Sequence, residues 1–319
     1  MAYKVVIPQD ITDAGKSYLL ERQYEVVVGA GKTDFDTLRA EIADADAVLI
    51  RTAKYPAEVL KAAKKLRVIG RHGVGVDNID MDYCKGNNIV VTYTPEANAN
   101  SVAEHTIGFI FALATNAVRL DREIRKGHWE IRDKIKGADV AGKTLGIVGF
   151  GRIGAAVARK AKLGLDMEVI AYDPYLKADG FPDYVTRAGC IGNVFACSDF
   201  VSLHLPSTPQ THKLVNHDML GMMKRGAFLI NCARGEIVSE DDLYDALRIG
   251  LIRGAALDVF EQEPPAMNNP LFDLDNVILS PHTASLTQEA MDRMGLHAAM
   301  GIDDVLGGRA PKWPVIHEA

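Results

Sequence analysis

Residues 145–163 narrow the possible folds more than any other stretch of this chain. Leu145-Gly146-Ile147-Val148 is an apolar run of strand length, Arg152 to Leu163 carries a helical pattern, and glycines stand between them at 149, 151 and 154. A buried strand that turns into a helix through G-x-G-x-x-G is one unit of a parallel sheet. Gly149 permits the tight turn, Gly151 lets backbone approach a pyrophosphate, and Gly154 lets helix and strand pack closely. The helix start at Arg152 and Ile153 adds unpaired N–H groups and a positive dipole end for phosphates. The glycines alone are weak evidence. A second strand, Met167 to Asp173, strengthens them by ending on an acid 19 residues past Gly154. A carboxylate there accepts hydrogen bonds from an adenosine ribose and repels a 2′-phosphate, so the expected cofactor is NAD rather than NADP.

Strand-like runs alternate with helical patterns along most of the chain. Val5-Val6-Ile7, Val26 to Val28, Ala47 to Ile50, Val68 to Gly70 and Ile89 to Val91 form one series, with helices expected over Phe35 to Ala43 and Pro56 to Lys65. After Gly142 a second series follows at Thr144 to Val148, Met167 to Ala171, Phe200 to Leu203, Ala227 to Ile230, Gly254 to Leu257 and Val277 to Leu279. This is the α/β pattern of two doubly wound parallel sheets, separated by a helical block near 98–126. The apolar stretch Thr106 to Val118 is shorter than the ~20 residues of a membrane span and reads as a buried or subunit-contact helix. A last helical block runs from about Leu286 to Leu306.

Length and composition exclude several classes. A chain of 319 residues suits two domains. A net charge of −6 leaves no basic field for a nucleic acid, and Lys61 to Arg67, the densest basic group, reads as a solvated helix face. Cys84, Cys190, Cys197 and Cys232 form no metal or disulfide spacing, which fits a reduced, cytoplasmic setting. The N-terminal apolar run is broken by Pro8, so neither a secretion signal nor a membrane partner is expected. No histidine pair has ligand spacing with an acid, and no metal is expected.

Three residues downstream of the glycine turn match the needs of hydride exchange with a keto acid. Such a site must hold a carboxylate and a carbonyl and exchange one proton. Arg234, in Asn231-Cys-Ala-Arg-Gly235, can bond a carboxylate bidentately or polarise the keto oxygen. His282, after Pro281, is a candidate acid/base, and Glu263, in Glu261-Gln-Glu-Pro264, can bond the far imidazole nitrogen. Taken singly, each reads more simply as a surface or loop residue. Together, each at a strand end, they read as one site. His204 follows a strand and is a candidate to line the nucleotide cleft through its backbone. His105 reads as a satisfied buried histidine.

With these motifs in order the chain resembles the D-isomer-specific 2-hydroxyacid dehydrogenase family over nearly its whole length. Further matching segments are Arg71-His-Gly-Val-Gly-Val-Asp-Asn-Ile-Asp80, Ser101-Val-Ala-Glu-His-Thr106 and Ala256-Leu-Asp-Val-Phe260. The resemblance implies a Rossmann NAD-binding domain, 98–286, inserted into a flavodoxin-like substrate domain made of 1–97 and 287–319. It implies that Arg234, Glu263 and His282 are catalytic. It also implies that the Gly73-Val74-Gly75 loop holds a substrate carboxylate through its amides, and that Cys232, Ala233 and Asp258 lie beside the nicotinamide. A homodimer through the NAD-binding domain is the implied assembly, and a small 2-hydroxy or 2-keto acid the implied partner.

Within the family the motifs look most like 3-phosphoglycerate dehydrogenases, where Arg51 and Arg71 match arginines near the substrate phosphate. Arg132 and Lys134 lie in a similarly basic segment that reads equally as surface or as reaching a neighbouring subunit's site. His72 replaces a usually small residue, which bears on substrate headroom. The chain ends at Ala319, so no serine-feedback domain is expected. Hydroxypyruvate or glyoxylate reduction is the alternative activity. A loop without lysine disfavours phosphite oxidation, and an NADH-sensing co-repressor is the non-catalytic alternative.

Overall fold

The computed structural model describes residues 2–315, so the ends of the chain at Met1 and 316–319, including the tail of the expected substrate domain, lie outside it. The chain divides into two compact units: Met1–Asn98 with Ser285–Ala319, and Ala99–Ala284.

The first unit is built on five parallel strands: β1 Lys4–Ile7, β2 Glu25–Val28, β3 Ala47–Ile50, β4 Val68–Arg71 and β5 Val90–Thr92, in the order β2-β1-β3-β4-β5. That is the flavodoxin-like order. Alternate strand residues feed two cores. Val5, Ile7, Leu49 and Val68 meet Ala298 and Ile302, while Val6, Val48, Ile50 and Ile69 meet Leu38, Ile42 and Tyr55. Both sheet faces are therefore covered, which explains strands that read as continuous apolar runs. The helices Asp13–Glu21 and Gln288–Leu306 approach through small residues. A Cβ on Gly15 would stand 2.5 Å from the Gly295 carbonyl oxygen. The expected helix over 56–65 is shorter, Ala57–Leu60, because the chain then tightens into turns, with Ala62, Ala63 and Leu66 each donating to the carbonyl three residues back.

The second unit holds seven parallel strands: β6 Thr144–Val148, β7 Glu168–Tyr172, β8 Thr186–Arg187, β9 Phe200–Leu203, β10 Phe228–Asn231, β11 Gly254–Leu257 and β12 Val277–Leu279. Their order, β12-β11-β10-β9-β6-β7-β8, reverses direction between β6 and β9. This is a Rossmann sheet, and its switch point is where ligands bind in such folds. One core joins Leu145, Ile147, Phe200 and Ile230 to Phe109, Ile110, Val157 and Ala161, and the other joins Val201, Leu203, Leu229 and Leu257 to Phe195, Leu243 and Leu247. The helical block of 98–126 is broken at Asn116, whose φ of 55° separates Ala99–Thr115 from Ala117–Arg125. Strand β8 has only two residues, both exposed, and leaves no apolar pattern to read. Among the described residues no helix is long and apolar enough to cross a membrane.

Candidate active site

The glycine turn sits at the switch point. Gly149 has φ +90°, and a Cβ there would stand 2.4 Å from the His204 carbonyl oxygen at the end of β9. A Cβ on Gly154 would stand 2.2 Å from the Gly149 oxygen, so these two glycines are required by the protein itself. Gly151 differs: nothing lies within 4 Å of its missing Cβ. No protein atom demands a glycine there, whereas a pyrophosphate lying on the turn would. Gly151 is also the N-cap of Arg152–Leu165 and offers no side chain to the first-turn amides at Arg152 and Ile153. Open backbone at a helix start on a Rossmann switch point fits a dinucleotide.

Asp173 follows β7, and its two oxygens accept from the amides of Phe150 at 2.8 Å and Tyr175 at 2.9 Å. The carboxylate thus shapes the turn and retains lone pairs for ribose hydroxyls. His204 meets Gly149 through its backbone, while its ring pairs with the Ser202 hydroxyl at 2.9 Å. Burial pushes that ring down to about 4, so it is neutral near pH 7. Burial likewise pushes the Cys232 thiol up to about 12 and leaves it a small apolar neighbour of the Arg234 turn.

The turn carrying Arg234 is shaped by Asn231, which accepts from the Ala233 amide at 3.0 Å and donates to the Arg234 carbonyl at 2.9 Å. The Arg234 guanidinium donates to the Ala233 carbonyl at 2.7 Å. Glu263 and His282 meet directly, with Oε2 2.8 Å from Nδ1. Glu263 Oε1 accepts from the Phe260 amide at 3.2 Å. Burial acts to raise the Glu263 carboxyl, but the hydrogen bond and charge of His282, helped by Phe260 N–H and Arg234, outweigh it and hold the group below the ordinary carboxylate range.

Asp258 is the anchor beneath this pair. It is 1% exposed, and its carboxylate accepts from the Thr283 and Ala284 amides, both at 2.8 Å, and from the Ser280 hydroxyl. The His282 amide donates to the Asp258 carbonyl at 2.7 Å. Its side chain holds the 280–284 turn rather than standing open beside a ring. His105, expected to be a satisfied buried histidine, is instead 27% exposed and faces this anchor, 3.3 Å from Ser280 Oγ and 3.8 Å from Asp258. Ser280 was missed because a lone serine before Pro281 carries no distinguishing pattern.

In the first unit the Gly73-Val74-Gly75 loop is pinned from within. The Gly73 amide is spent on the Thr94 hydroxyl at 3.0 Å and the Arg71 carbonyl at 2.9 Å, and Gly73 has φ +142°. The amides of Val74 and Gly75 have no such partner among the described residues. Arg71 curls back onto the loop, donating to the Gly75 carbonyl at 2.8 Å and to the His72 carbonyl. Arg51 donates to the Asp10 carbonyl at 2.8 Å. His72 is turned into the interior, 4% exposed, so it fills core rather than limiting headroom over the loop.

A Rossmann unit whose strand-end loops carry a cation, a carboxylate and a paired imidazole has the groups that dinucleotide-dependent oxidation of a hydroxy acid requires. Residues 107–284 match the family model described as D-isomer specific 2-hydroxyacid dehydrogenase, NAD binding domain. The chain belongs to the D-isomer-specific 2-hydroxyacid dehydrogenase family, and its cofactor is NAD. It is 42% identical over 292 residues to a D-3-phosphoglycerate dehydrogenase of Methanocaldococcus jannaschii, covering 91% of this chain and 55% of that one. It is 38% identical over 309 residues to a hydroxypyruvate reductase of Thermotoga maritima, covering 96% of this chain and 99% of that one. The structure of the TT0316 protein of Thermus thermophilus superposes with a TM-score of 0.91 at 35% identity, covering 98% of this chain and all of that one. The chain spans about half the length of the curated phosphoglycerate dehydrogenases it matches.

Proposed function

We propose that this chain interconverts a D-2-hydroxy acid and its 2-keto acid with NAD. The carrying observation is the Glu263–His282 pair, 2.8 Å apart, on the strand-end loops of the unit that holds the open glycine turn. Gly149, Gly151 and Gly154 form the pyrophosphate turn, and Asp173 receives the adenosine ribose. Bound there, the nicotinamide supplies or accepts the hydride. His282 exchanges the substrate's hydroxyl proton at Nε2, because Glu263 occupies Nδ1 and fixes the tautomer. Arg234 binds the carboxylate or polarises the carbonyl, and its charge favours the oxygen as it becomes negative.

For the substrate, 3-phosphoglycerate is the first candidate, with Arg51 and Arg71 reading the phosphate. A second reading, reduction of hydroxypyruvate or glyoxylate, is favoured by Arg71, whose guanidinium already binds the carbonyls of its own loop. The Val74 and Gly75 amides are the candidate donors to the substrate carboxylate. An NADH-oxidation assay against 3-phosphohydroxypyruvate, hydroxypyruvate, glyoxylate and pyruvate separates the two. Arg51→Ala and Arg71→Ala should abolish a preference for the phosphorylated acid under the first reading. Near-equal loss on unphosphorylated acids supports the second.

The same reading includes a cytoplasmic homodimer. The helix Ala117–Arg125 buries no residue, and Phe111, Val118, Ile124 and Trp129 are exposed in and beside it. Exposed apolar side chains on and beside a helix that buries none suit a second copy of the chain. Replacing Val118 and Ile124 with Glu should yield a monomer by light scattering; an unchanged mass argues for another interface.

A further inference from the structure

Two glutamates outside the proposed catalytic set join the loops that carry it. Glu240 begins the helix Glu240–Arg248, and Glu261 lies two residues before Glu263. Each donates its backbone N–H to the other's carboxylate: Glu240 N to Glu261 Oε1 at 2.7 Å, and Glu261 N to Glu240 Oε1 at 2.7 Å. The outer oxygens are also held. Asn269 Nδ2 donates to Glu240 Oε2 at 2.7 Å, and Lys213 Nζ lies 3.1 Å from Glu261 Oε2. Lys213 is tied to the same region by its own amide, which donates to the Glu236 carbonyl at 2.8 Å.

The two loops also touch through backbone. A Cβ on Gly235 would stand 1.9 Å from the carbonyl carbon and oxygen of Phe260. Gly235 follows Arg234 directly, and Phe260 holds Glu263 through its amide. The connection after β10 and the connection after β11 are therefore joined twice, at Gly235–Phe260 and at Glu240–Glu261. Ser239 caps the helix start by accepting from the Asp242 amide at 3.4 Å, and Glu261 takes the Glu240 amide, another first-turn donor without an intrahelical partner. Capping accounts for the Glu240 amide alone; the return bond, from the Glu261 amide to Glu240 Oε1, lies outside the helix and ties the second loop to the first.

We propose that Glu240 and Glu261 are positioning residues, a reciprocal latch that fixes Glu263 relative to Arg234 and so sets the orientation of His282. Its effect on turnover rests on the dehydrogenase reading above; the latch itself has a readout that needs no activity. Neither glutamate touches the reacting atoms. Displacing a catalytic group by ~1 Å costs up to about a hundredfold in rate, so loosening the latch lowers kcat while nucleotide binding survives.

The test uses the full chain with Glu240→Ala, Glu261→Ala, the double variant, and Glu240→Gln with Glu261→Gln, which keep an acceptor oxygen. We expect each alanine variant to lower kcat about tenfold or more with the KM for NADH little changed. The double variant should lose no more than the worse single one, since either change opens the latch. The glutamine variants should recover most of the loss. Amide exchange across 259–264 should speed about tenfold in the alanine variants. Wild-type kcat with unchanged exchange, or losses that multiply in the double variant, would overturn the proposal. If the wild type reduces no 2-keto acid, the dehydrogenase reading fails, and unchanged exchange alone then decides against the latch. Should an alanine variant fold poorly, Lys213→Met replaces it, with faster exchange expected and unchanged exchange contradicting the latch.

Discussion

His282 Nδ1 lies 2.8 Å from Glu263 Oε2 although neither side chain is buried, the two being 47% and 38% exposed. Backbone constraint therefore holds the pair in place. His282 has φ 54°, a left-handed conformation that costs about 1–3 kcal/mol for a non-glycine residue. Asp258 sustains it, taking the His282 amide on its carbonyl and the next two amides on its carboxylate. A strained residue kept in place by a buried acid and aimed at a second acid suits proton transfer.

His282→Ala should therefore cost turnover rather than nucleotide binding. General acid–base catalysis contributes about 10²–10⁴-fold, and kcat should fall by that order. NADH affinity, measured by fluorescence titration, should stay within about twofold, because binding equal in ground and transition states leaves kcat unaffected. A variant with full kcat would remove His282 from the mechanism.

The lowered Glu263 carboxyl gives a signed pH dependence. Its ionised form is favoured by folding, so the pair stabilises the protein above the ordinary carboxylate pKa of ~4.3 and loses that contribution as pH falls through the lower folded value. In urea unfolding, the margin of wild type over Glu263→Gln should shrink as pH falls from about 5 toward about 3. A margin independent of pH contradicts the ion-pair assignment.

His72 gives the second pH effect, again with stability lost on the acid side. Burial, with Arg51 and Arg71 nearby, pushes its imidazole down to about 4. The unfolded chain takes up the proton near pH 6.5 and the folded one does not, so ~3 kcal/mol of stability is lost as pH falls from about 6.5 to 4. His72→Leu should flatten that part of the profile, and an unchanged slope would place the titration elsewhere.

Asp173→Ala should relax discrimination against NADP, since the carboxylate that repels a 2′-phosphate is removed. The same change strips acceptors from the Phe150 and Tyr175 amides, so KM for NADH should also rise. The ratio of kcat/KM for the two cofactors is the measurement. A ratio equal to that of wild type would leave Asp173 a turn former only.

Gly235→Ala should be the most damaging small change. The added carbon would overlap the Phe260 carbonyl, and backbone on both sides leaves nothing flexible to yield. Overpacking of this kind costs about 1–3 kcal/mol or more. Thermal unfolding should show the loss, with activity falling alongside it as Arg234 and Glu263 are pushed apart. An unshifted Tm would mean that the two loops separate freely.

Period and turn chemistry made much of the fold legible. Val5 to Ile7, Ala47 to Ile50, Leu145 to Val148 and Phe200 to Leu203 are buried on both faces, and their apolar runs advertise strands directly. Gly149 and Gly154 are visible because packing allows nothing larger. The break at Asn116 was hidden, since only a left-handed φ at a polar residue marks it. Glu240, Glu261, Ser280 and His105 were hidden for another reason. Each acts through a partner between 21 and 175 residues away, and no local spacing encodes such a contact. Arg71 shows the reverse: its sequence position suggests a phosphate reader, yet the backbone of its own loop claims its guanidinium.

The most direct test of the proposed chemistry is oxidation of paired D- and L-enantiomers of 2-hydroxy acids, glycerate and lactate among them, by the purified chain with NAD. NADH absorbance follows the reaction. We expect turnover of D-enantiomers only, lowered by about a hundredfold or more in His282→Ala and strongly reduced in Arg234→Ala. Turnover of L-enantiomers, or tight NAD binding with no turnover of any hydroxy acid in either direction, would contradict it.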